Sequence, residues 1–208
     1  MNLFCVVRNY APHAAEMKSV LPTEPTFFMK PHTALLAAPA TLRYPDFTHD
    51  LQHELELVVR IEHSGKNIPL SEAHQYYHSV ALGIDLTARD LQRKAKENSM
   101  PWLLSKGFDN SAVISPFVTL EEIGKPIDSL SFSLQINGKT VQQGNSHDMI
   151  FTPDRLIAYL SRYITLNAGD LIYTGTPAGV GPIHQGDHLV GTLESHTLLL
   201  LDVQTPNR

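Results

Sequence analysis

The most constraining feature of the chain is the segment His53-Glu54-Leu55-Glu56-Leu57-Val58-Val59. Two acids separated by one leucine, ahead of an aliphatic run, predict a β-strand on which Glu54 and Glu56 share one face. Carboxylates about 7 Å apart on that face repel by roughly 2 kcal/mol at an effective dielectric of about 20. Either water solvates this face or a cation lies between the two acids. Oxygen ligands alone favour a hard ion, Mg²⁺, Mn²⁺ or Ca²⁺, over zinc.

Composition argues against several classes of function. The net charge of -5, with only 16 Lys and Arg in 208 residues, argues against a nucleic-acid interface. The single cysteine, Cys5, excludes an internal disulfide, and its apolar neighbours predict a buried side chain rather than a nucleophile. The sequence shows neither a signal-peptide pattern nor an apolar run of about 18 residues. We therefore expect a soluble, cytoplasmic protein with no nucleic-acid or membrane partner.

Strands dominate the predicted secondary structure, and they lie over Leu3–Val7, Phe27–Lys30, Leu55–Ile61, Val80–Leu86, Leu171–Thr174 and Leu198–Val203. Asn137-Gly138 predicts a type I′ hairpin between Phe132–Ile136 and Lys139–Gln142. Proline and capping signals predict four short helices. The first lies near residues 11–18, and the second lies over Ser71–Tyr77 with Ser71 as N-cap. The third runs from a capping box at Thr87-Ala88-Arg89-Asp90 to about Glu97, and the fourth from Thr152-Pro153-Asp154 to about Tyr163. This pattern predicts an α+β fold with a rolled or barrel-like mixed sheet.

Asp85 is the third candidate metal ligand. An acid near the end of the otherwise apolar strand Val80–Leu86 is costly to bury unless it is paired or bound to a metal ion. Its alternatives are to cap the helix that follows or to pair with Arg89. Together with Glu54 and Glu56 it makes a site of three carboxylates that leaves positions open for water and substrate.

His13 and Glu16 are a candidate general base and its orienting acid. They lie three residues apart on the first predicted helix, so they share a face. A carboxylate bonded to one imidazole nitrogen fixes the tautomer and makes the other nitrogen more basic. The alternative is an ordinary surface pair.

Arg89 and Gln92 are also three residues apart, where they either reach one pocket or lie on an exposed helix face. Lys30 and Lys106 each follow an apolar segment and precede a turn, so each is either a surface lysine or a buried cation for a carboxylate substrate. The loop Gly175–Gly181 lacks the glycine spacing of a nucleotide-binding loop, yet Thr176 can offer donors to an anion.

His53 is the hardest residue to place. It could hold a neighbouring carboxylate from outside the metal site. Strand alternation, however, points it away from Glu54.

Six motifs in this order resemble the fumarylacetoacetate hydrolase family. They are Asn9-Tyr10-Ala-x-His13-x-x-Glu16-Met17, Phe28-x-Lys30-Pro31, His53-Glu54-Leu55-Glu56-Leu57, Asp85-Leu86-Thr87-Ala88-Arg89-Asp90-x-Gln92, Pro101-Trp102-x-x-x-Lys106-x-Phe108-Asp109 and Gly169-Asp170-x-Ile172-x-Thr174-Gly175-Thr176-Pro177-x-Gly179-Val180-Gly181. The resemblance extends from about Leu3 to Val203. It is greatest to the short members, the acylpyruvate hydrolase and oxaloacetate decarboxylase branch.

The resemblance implies a mixed β-roll, one catalytic domain over residues 1–208, a homodimer, and a lid formed by the helix near residues 11–18. It implies Mg²⁺ or Mn²⁺ held by Glu54, Glu56 and Asp85. The residues that it assigns to catalysis are His13, Glu16 and Lys106, and those that it assigns to substrate binding are Lys30, Arg89, Gln92 and Thr176.

The residues and the resemblance together predict an enzyme that acts on 2-oxo acids. We expect the substrate to bind the metal ion through its carboxylate and keto oxygens, and cleavage of the C3–C4 bond to release a metal-stabilised pyruvate enolate. Acylpyruvates such as fumarylpyruvate or acetylpyruvate are then hydrolysed with His13 as base, and oxaloacetate is decarboxylated. The alternatives are a keto–enol tautomerase or isomerase acting on oxaloacetate or an aromatic-catabolism intermediate, and a non-catalytic metal-binding scaffold.

Overall fold

The computed structural model describes residues 1–16 and 20–205. The strands of this part, in chain order, are β1 (Leu3–Val6), β2 (Phe27–Lys30), β3 (Leu35–Ala37), β4 (Ala40–Arg43), β5 (Leu51–His53), β6 (Leu55–Arg60), β7 (Ser79–Asp85), β8 (Thr87–Ala88), β9 (Ala112–Ile114), β10 (Val118–Thr119), β11 (Ser131–Ile136), β12 (Lys139–Asn145), β13 (Leu171–Tyr173), β14 (Gly181–Pro182), β15 (His188–Leu193) and β16 (His196–Gln204). The α-helices are α1 (Ala11–Glu16), α2 (Arg89–Glu97), α3 (Leu103–Lys106), α4 (Leu120–Ile123) and α5 (Pro153–Ser161), and 3₁₀ turns lie at His32–Ala34, Ala73–Tyr76, Ile127–Ser129 and Ser146–Asp148.

These strands form three sheets, of which the two larger ones are mixed and the smallest is antiparallel. The largest has the order β2-β1-β13-β6-β7-β9-β3, with β10 also paired to β7. A five-stranded sheet has the order β12-β11-β15-β16-β4, and a small one joins β14, β5 and β8. Parallel pairs (β1 with β13, β3 with β9, β4 with β16) occur beside antiparallel ones. The predicted α+β fold of mixed sheets with a few short helices is confirmed.

Strands β6 and β7 lie at the centre of the large sheet, and both of their faces are buried. On one face Leu55, Leu57 and Val59 join the main hydrophobic core, together with residues of the five-stranded sheet. On the other face Val58 belongs to a second, smaller core that also contains the buried Cys5. The acids of β6 and β7 alternate onto this second face, so the fold places them inside the protein.

Several local predictions are confirmed. Asn137 and Gly138 have φ angles of 52° and 79°, as a type I′ turn between β11 and β12 requires. The Thr152 side chain accepts a hydrogen bond from the Arg155 N–H at the start of α5. No helix in the described part of the chain is long and apolar enough to cross a membrane.

Two predicted helix starts are wrong. The helix expected over Ser71–Tyr77 is only a 3₁₀ turn at Ala73–Tyr76, whose N-cap is Glu72 without a side-chain bond. The predicted capping box is also absent, because Thr87–Ala88 pairs with β5 as strand β8. The Asp90 carboxylate instead accepts hydrogen bonds from the Thr48 hydroxyl and the His49 N–H.

The predicted lid helix near residues 11–18 overlaps α1, which the structure describes over Ala11–Glu16. Met17 and residue 18 lie outside the described residues.

Candidate active site

The antiparallel pairing of β6 with β7 brings Glu54, Glu56 and Asp85 together. Glu54 immediately precedes β6, and the N–H of Asp85 donates to the Glu54 carbonyl at 2.8 Å. Each residue offers one carboxylate oxygen, and these oxygens all lie within 4.8 Å of one another. The three side chains, the carboxylate triad below, are 6%, 1% and 1% exposed, so water does not solvate this face.

Three buried cations, called the inner cations below, pair with two members of the triad. Lys106 Nζ lies 2.8 Å from Glu54 and 2.7 Å from Asp85. Lys30 Nζ lies 2.7 Å from Asp85, and the Arg89 guanidinium lies 2.6 Å from Glu54. Asp85 therefore pairs with the two lysines, and the alternative of an Asp85–Arg89 pair is wrong. A single cation, Lys106, bridges the two acids.

The pairing divides the triad electrostatically. Burial works to raise the pKa of Glu54, but the charges of Lys106 and Arg89 outweigh it and hold that pKa below its ordinary value. Burial likewise opposes the charge of Lys106, and Asp85 and Glu54 overcome it, so the pKa of Lys106 is raised. Glu56 differs from both, because burial and the charges of Asp85 and Glu54 raise its pKa well above the ordinary value.

The triad fits a divalent cation on three observations. In the described residues Glu56 has no cationic partner, and its carboxylate accepts a hydrogen bond from the Gly175 N–H at 2.7 Å. Asp85 Oδ1 is buried and makes no hydrogen bond, although Lys30 lies nearby, so a lone pair is available to a metal ion. A set of carboxylate oxygens suits Mg²⁺ or Mn²⁺ rather than a soft metal.

The glycine-rich loop reaches the triad because Asn9 anchors it. The Asn9 amide donates to the carbonyls of Phe151 and Thr174 at 2.9 and 2.8 Å, and its oxygen accepts from the Phe151 N–H. Gly175 has a φ of 97°, and an added Cβ would lie 2.7 Å from Asn9 Cβ. Only glycine brings its N–H to Glu56 here without displacing Asn9.

Helix α1 places His13 over the same cleft. His13 Nδ1 lies 3.2 Å from the Glu16 carboxylate, which leaves Nε2 as the other ring nitrogen. Glu16 also accepts from the Gly179 N–H at 3.2 Å, so this contact docks α1 on the glycine-rich loop. Gly179 has a φ of 98°, and an added Cβ would collide with the Val141 carbonyl. Glu16 therefore links His13 to the glycine-rich loop.

One cleft collects the predicted site residues except Glu16 and Lys30, and it is lined by Val6, Val7, Arg8, His13, Phe28, Glu54, Glu56, Asp85, Arg89, Gln92, Lys96, Trp102, Lys106 and Thr176. Arg89 donates to Gln92 at 2.7 Å, so both residues point into the protein rather than to an exposed face. The Thr176 hydroxyl already donates to the Leu55 carbonyl at 2.8 Å. Its side-chain proton is therefore not free for a substrate.

The placement of Lys30 does not match the substrate contact predicted for it. Its ammonium reaches Asp85 and donates to the carbonyls of Leu86 and Ser111 at 3.1 and 2.7 Å. Two of its three donors thus go to these carbonyls, and its charge pairs with Asp85 Oδ1 at 2.7 Å. Lys30 therefore positions Asp85 from behind the cleft.

Sequence reasoning missed two residues that organise the site. The Gln142 side chain accepts from the Leu55 N–H and bonds to His53 Nδ1, and its amide donates to Thr176 at 2.8 Å. His53 thus reaches the site through Gln142 rather than by holding a carboxylate. Gln52 accepts from Arg89 Nε at 2.8 Å. Both glutamines lie on strands distant in sequence from their partners, so only the fold reveals their role. Asn9, which anchors the glycine-rich loop, was indicated by its place in the first sequence motif.

Comparison with known proteins agrees with this geometry. Residues 2–200 match the family model described as fumarylacetoacetate (FAA) hydrolase C-terminal. The chain is 43% identical over 188 residues to the mouse protein "Oxaloacetate tautomerase FAHD1, mitochondrial". This match covers 90% of this chain and 85% of the mouse protein. It is 40% identical over 194 residues to "Oxaloacetate tautomerase YcgM" of Escherichia coli K12, covering 93% of this chain and 89% of that protein.

Solved structures show the same fold. The fumarylpyruvate hydrolase of Pseudomonas aeruginosa, crystallised in complex with Mn²⁺ and pyruvate, superposes with a TM-score of 0.92 at 38% identity. The match covers 99% of this chain and 90% of that one. A 5-carboxymethyl-2-hydroxymuconate delta-isomerase from Mycobacterium smegmatis gives a TM-score of 0.85 at 31% identity, over 100% of this chain and 80% of that one. Hydrolase, tautomerase and isomerase names thus occur among proteins similar to this chain.

Proposed function

Because the chain belongs to the fumarylacetoacetate hydrolase family, we propose that it is a metal-dependent enzyme that cleaves the C3–C4 bond of 2-oxo acids. Its substrates in this proposal are acylpyruvates, which it hydrolyses, and oxaloacetate, which it decarboxylates. The observation that carries the proposal is the buried carboxylate triad, whose oxygens lie within 4.8 Å of one another. A scaffold protein has no need of a general base beside such a triad.

The proposed cofactor is Mg²⁺ or Mn²⁺, held by the carboxylate triad. When bound, such an ion supplies Lewis-acid stabilisation of the negative charge that develops on the 2-oxo oxygen. The similar hydrolase that was crystallised with Mn²⁺ and pyruvate supports this choice of ion and ligand.

Residues of the cleft carry the proton transfers and the binding. Glu16 holds His13 Nδ1, so Nε2 takes the proton of a water molecule that attacks the distal carbonyl of an acylpyruvate. Lys106 has one N–H left beyond its two carboxylate bonds, and Gln92 has its amide donors, for the substrate oxygens. In oxaloacetate the leaving fragment is CO₂, so no water needs to be activated.

A second candidate is keto–enol tautomerisation of oxaloacetate. The names of the similar mouse and Escherichia coli proteins favour it. The reaction needs a group that moves a proton between C3 and the enol oxygen, and His13 over the triad is such a group. Both reactions pass through an enolate, so one arrangement of side chains serves either.

Product analysis tests these proposals directly. The purified protein is incubated with Mg²⁺ or Mn²⁺ and with fumarylpyruvate, acetylpyruvate or freshly prepared enol-oxaloacetate, and proton NMR follows the products. Hydrolysis gives pyruvate and an acid, decarboxylation gives pyruvate and CO₂, and tautomerisation gives only the keto form. We expect at least one of these reactions, and we expect excess chelator to stop it. No reaction with any of the three acids would contradict the proposed function.

A further inference from the structure

Arg8 and Lys96 line the same cleft as the carboxylate triad but differ from the inner cations. Each inner cation lies within 2.8 Å of a triad carboxylate. Across residues 1–16 and 20–205, neither Arg8 nor Lys96 takes part in an ion pair. Arg8 and Trp102 also line an adjoining apolar groove on the surface, so they mark the mouth of the cleft. The mouth therefore carries two positive charges that no acid of the described chain neutralises.

The backbone of Arg8 is held in an unusual conformation. Its φ is 60°, in the left-handed region that non-glycine residues seldom adopt. Strand β1 fixes the chain on one side, and Asn9, bonded to Phe151 and Thr174, fixes it on the other. Backbone strain of this kind persists where the surrounding structure enforces it, and it concentrates at binding sites. The fold thus sets the direction in which this arginine leaves the backbone.

Lys96 lies near the end of α2 and lines the cleft. Its Nζ lies 5.3 Å from the centre of the Trp102 ring, a cation–π contact. Partial burial lowers the pKa of Lys96, and the charges of Arg89 and Arg8 lower it further. Arg8 and Lys96 also line the same cleft, so an anion bound there is attracted by both charges.

The charges of the whole cleft favour a ligand with two negative groups. When all three acids of the carboxylate triad are ionised, their three negative charges equal the three positive charges of the inner cations. A divalent ion then adds two positive charges, and Arg8 and Lys96 add two more. A 2-oxo acid with one carboxylate compensates only one of these, whereas a dicarboxylic acid also brings an anion to the mouth.

We propose that Arg8 and Lys96 form an anion subsite for the second carboxylate of a dicarboxylic 2-oxo acid, one whose chain extends from the metal site to the mouth. The inference rests on the proposed function, since it assumes that the 2-oxo end of the ligand binds at the triad. It selects dicarboxylic acylpyruvates over those with a neutral acyl group. The subsite acts in recognition and takes no part in breaking bonds.

Two acids that differ only at the far end test the subsite. 2-Oxoheptanedioate and 2-oxoheptanoate have equal chain length and lack the 4-oxo group needed for cleavage, so binding is measured without turnover. Calorimetry at saturating Mg²⁺ gives both Kd values. We expect the wild type to bind the dicarboxylic acid about tenfold more tightly, because each partly exposed ion pair contributes up to about a fivefold factor. We expect the ratio to approach one in the double variant Arg8→Gln/Lys96→Gln and to weaken at high salt.

The control is Lys94→Gln, which removes a charge from an exposed position of the same helix outside the cleft, and it should keep the wild-type ratio. Equal binding of the two acids by the wild type, or a ratio preserved in the double variant, would overturn the inference. Binding of neither acid would overturn it together with the 2-oxo acid class. A tenfold ratio in a protein that shows no product in the NMR panel would support the subsite and count against the reaction alone.

Discussion

The inner half of the cleft and its mouth use charge in opposite ways. In the inner half, acids and cations are buried and bond to one another, as Lys106 does with Glu54 and Asp85. At the mouth, Arg8 and Lys96 have no acidic partner within the described chain, and Glu16 of α1 accepts a hydrogen bond from the Gly179 N–H. Folding alone therefore assembles the ion pairs of the inner half, whereas the charges at the mouth stay without an acidic partner in the described chain.

The largest expected effect comes from the triad member without a cationic partner. Glu56→Gln removes one of the three carboxylates proposed to hold the metal ion, so we expect metal affinity to fall by more than about 100-fold, beyond the range typical of residues outside the ligand set. Turnover should be lost with it. Calorimetric titration with Mg²⁺ and Mn²⁺ measures the affinity, and Glu121→Gln, at an exposed position of α4, is the control.

The same variant should stabilise the protein free of metal. Burial, Asp85 and Glu54 raise the pKa of Glu56, so the folded state loses stability as the pH rises from the ordinary glutamate pKa through this raised one. Glutamine removes that loss at neutral pH. We expect a higher Tm, by about 2–4 °C for each kcal/mol gained. A lower Tm would show instead that the Glu56 carboxylate itself holds the inner half together.

A change on α1 separates catalysis from metal binding. His13→Ala removes the proposed base but leaves the triad intact, so acylpyruvate hydrolysis should slow by about 10²- to 10⁴-fold while metal affinity stays near that of the wild type. Steady-state kinetics and metal titration give the two quantities. His147→Ala, at an exposed position in a 3₁₀ turn, serves as control. An unchanged rate of acylpyruvate hydrolysis with metal bound would remove His13 from the role of general base.

Lys30 tests whether the inner half is a structural unit. Lys30→Met leaves Asp85 short of one cation and two buried carbonyls without their donor, so we expect a loss of about 3 kcal/mol in the free energy of unfolding. Lys125→Met removes a half-exposed pair with Glu194 and should cost less than about 1 kcal/mol. Denaturant unfolding measures both. If Lys30→Met instead raised KM without lowering the free energy of unfolding, Lys30 would contact the substrate, as the sequence predicted.

The inner half was largely predictable because its signals are local. Glu56 lies on β6 with Glu54 just before it at the alternate position, and the apolar strand β7 ends at Asp85, so the local pattern indicated a shared cation as one of two alternatives. The pairing register that brings them together depends on tertiary structure and came from the fold. Gln142 was missed for that reason, since its partner Leu55 lies 87 residues away.

The mouth and the helix starts were less predictable, because tertiary contacts override local preferences there. Thr87 and Asp90 have the pattern of a capping box, yet Thr87 pairs with β5 as part of a strand, and the Asp90 carboxylate accepts a hydrogen bond from the Thr48 hydroxyl. Nothing in the sequence around Arg8 indicates its φ of 60°. This conformation accompanies the hydrogen bond from the Asn9 amide to the Thr174 carbonyl, which only the fold reveals.

The smallest expected effect is the release of about one proton from Glu56 when a metal ion binds. Because its pKa is raised, Glu56 holds a proton in the metal-free protein at pH values where an ordinary glutamate is ionised. A metal ion binds the ionised form, so binding should release about one proton below that pKa, and the affinity should rise by up to about tenfold per pH unit until the pKa is passed. Titration in two buffers of different ionisation enthalpy counts the proton. Binding without proton release at the acidic end would mean that Glu56 is already ionised, and that the inner cations neutralise all three acids before any metal arrives.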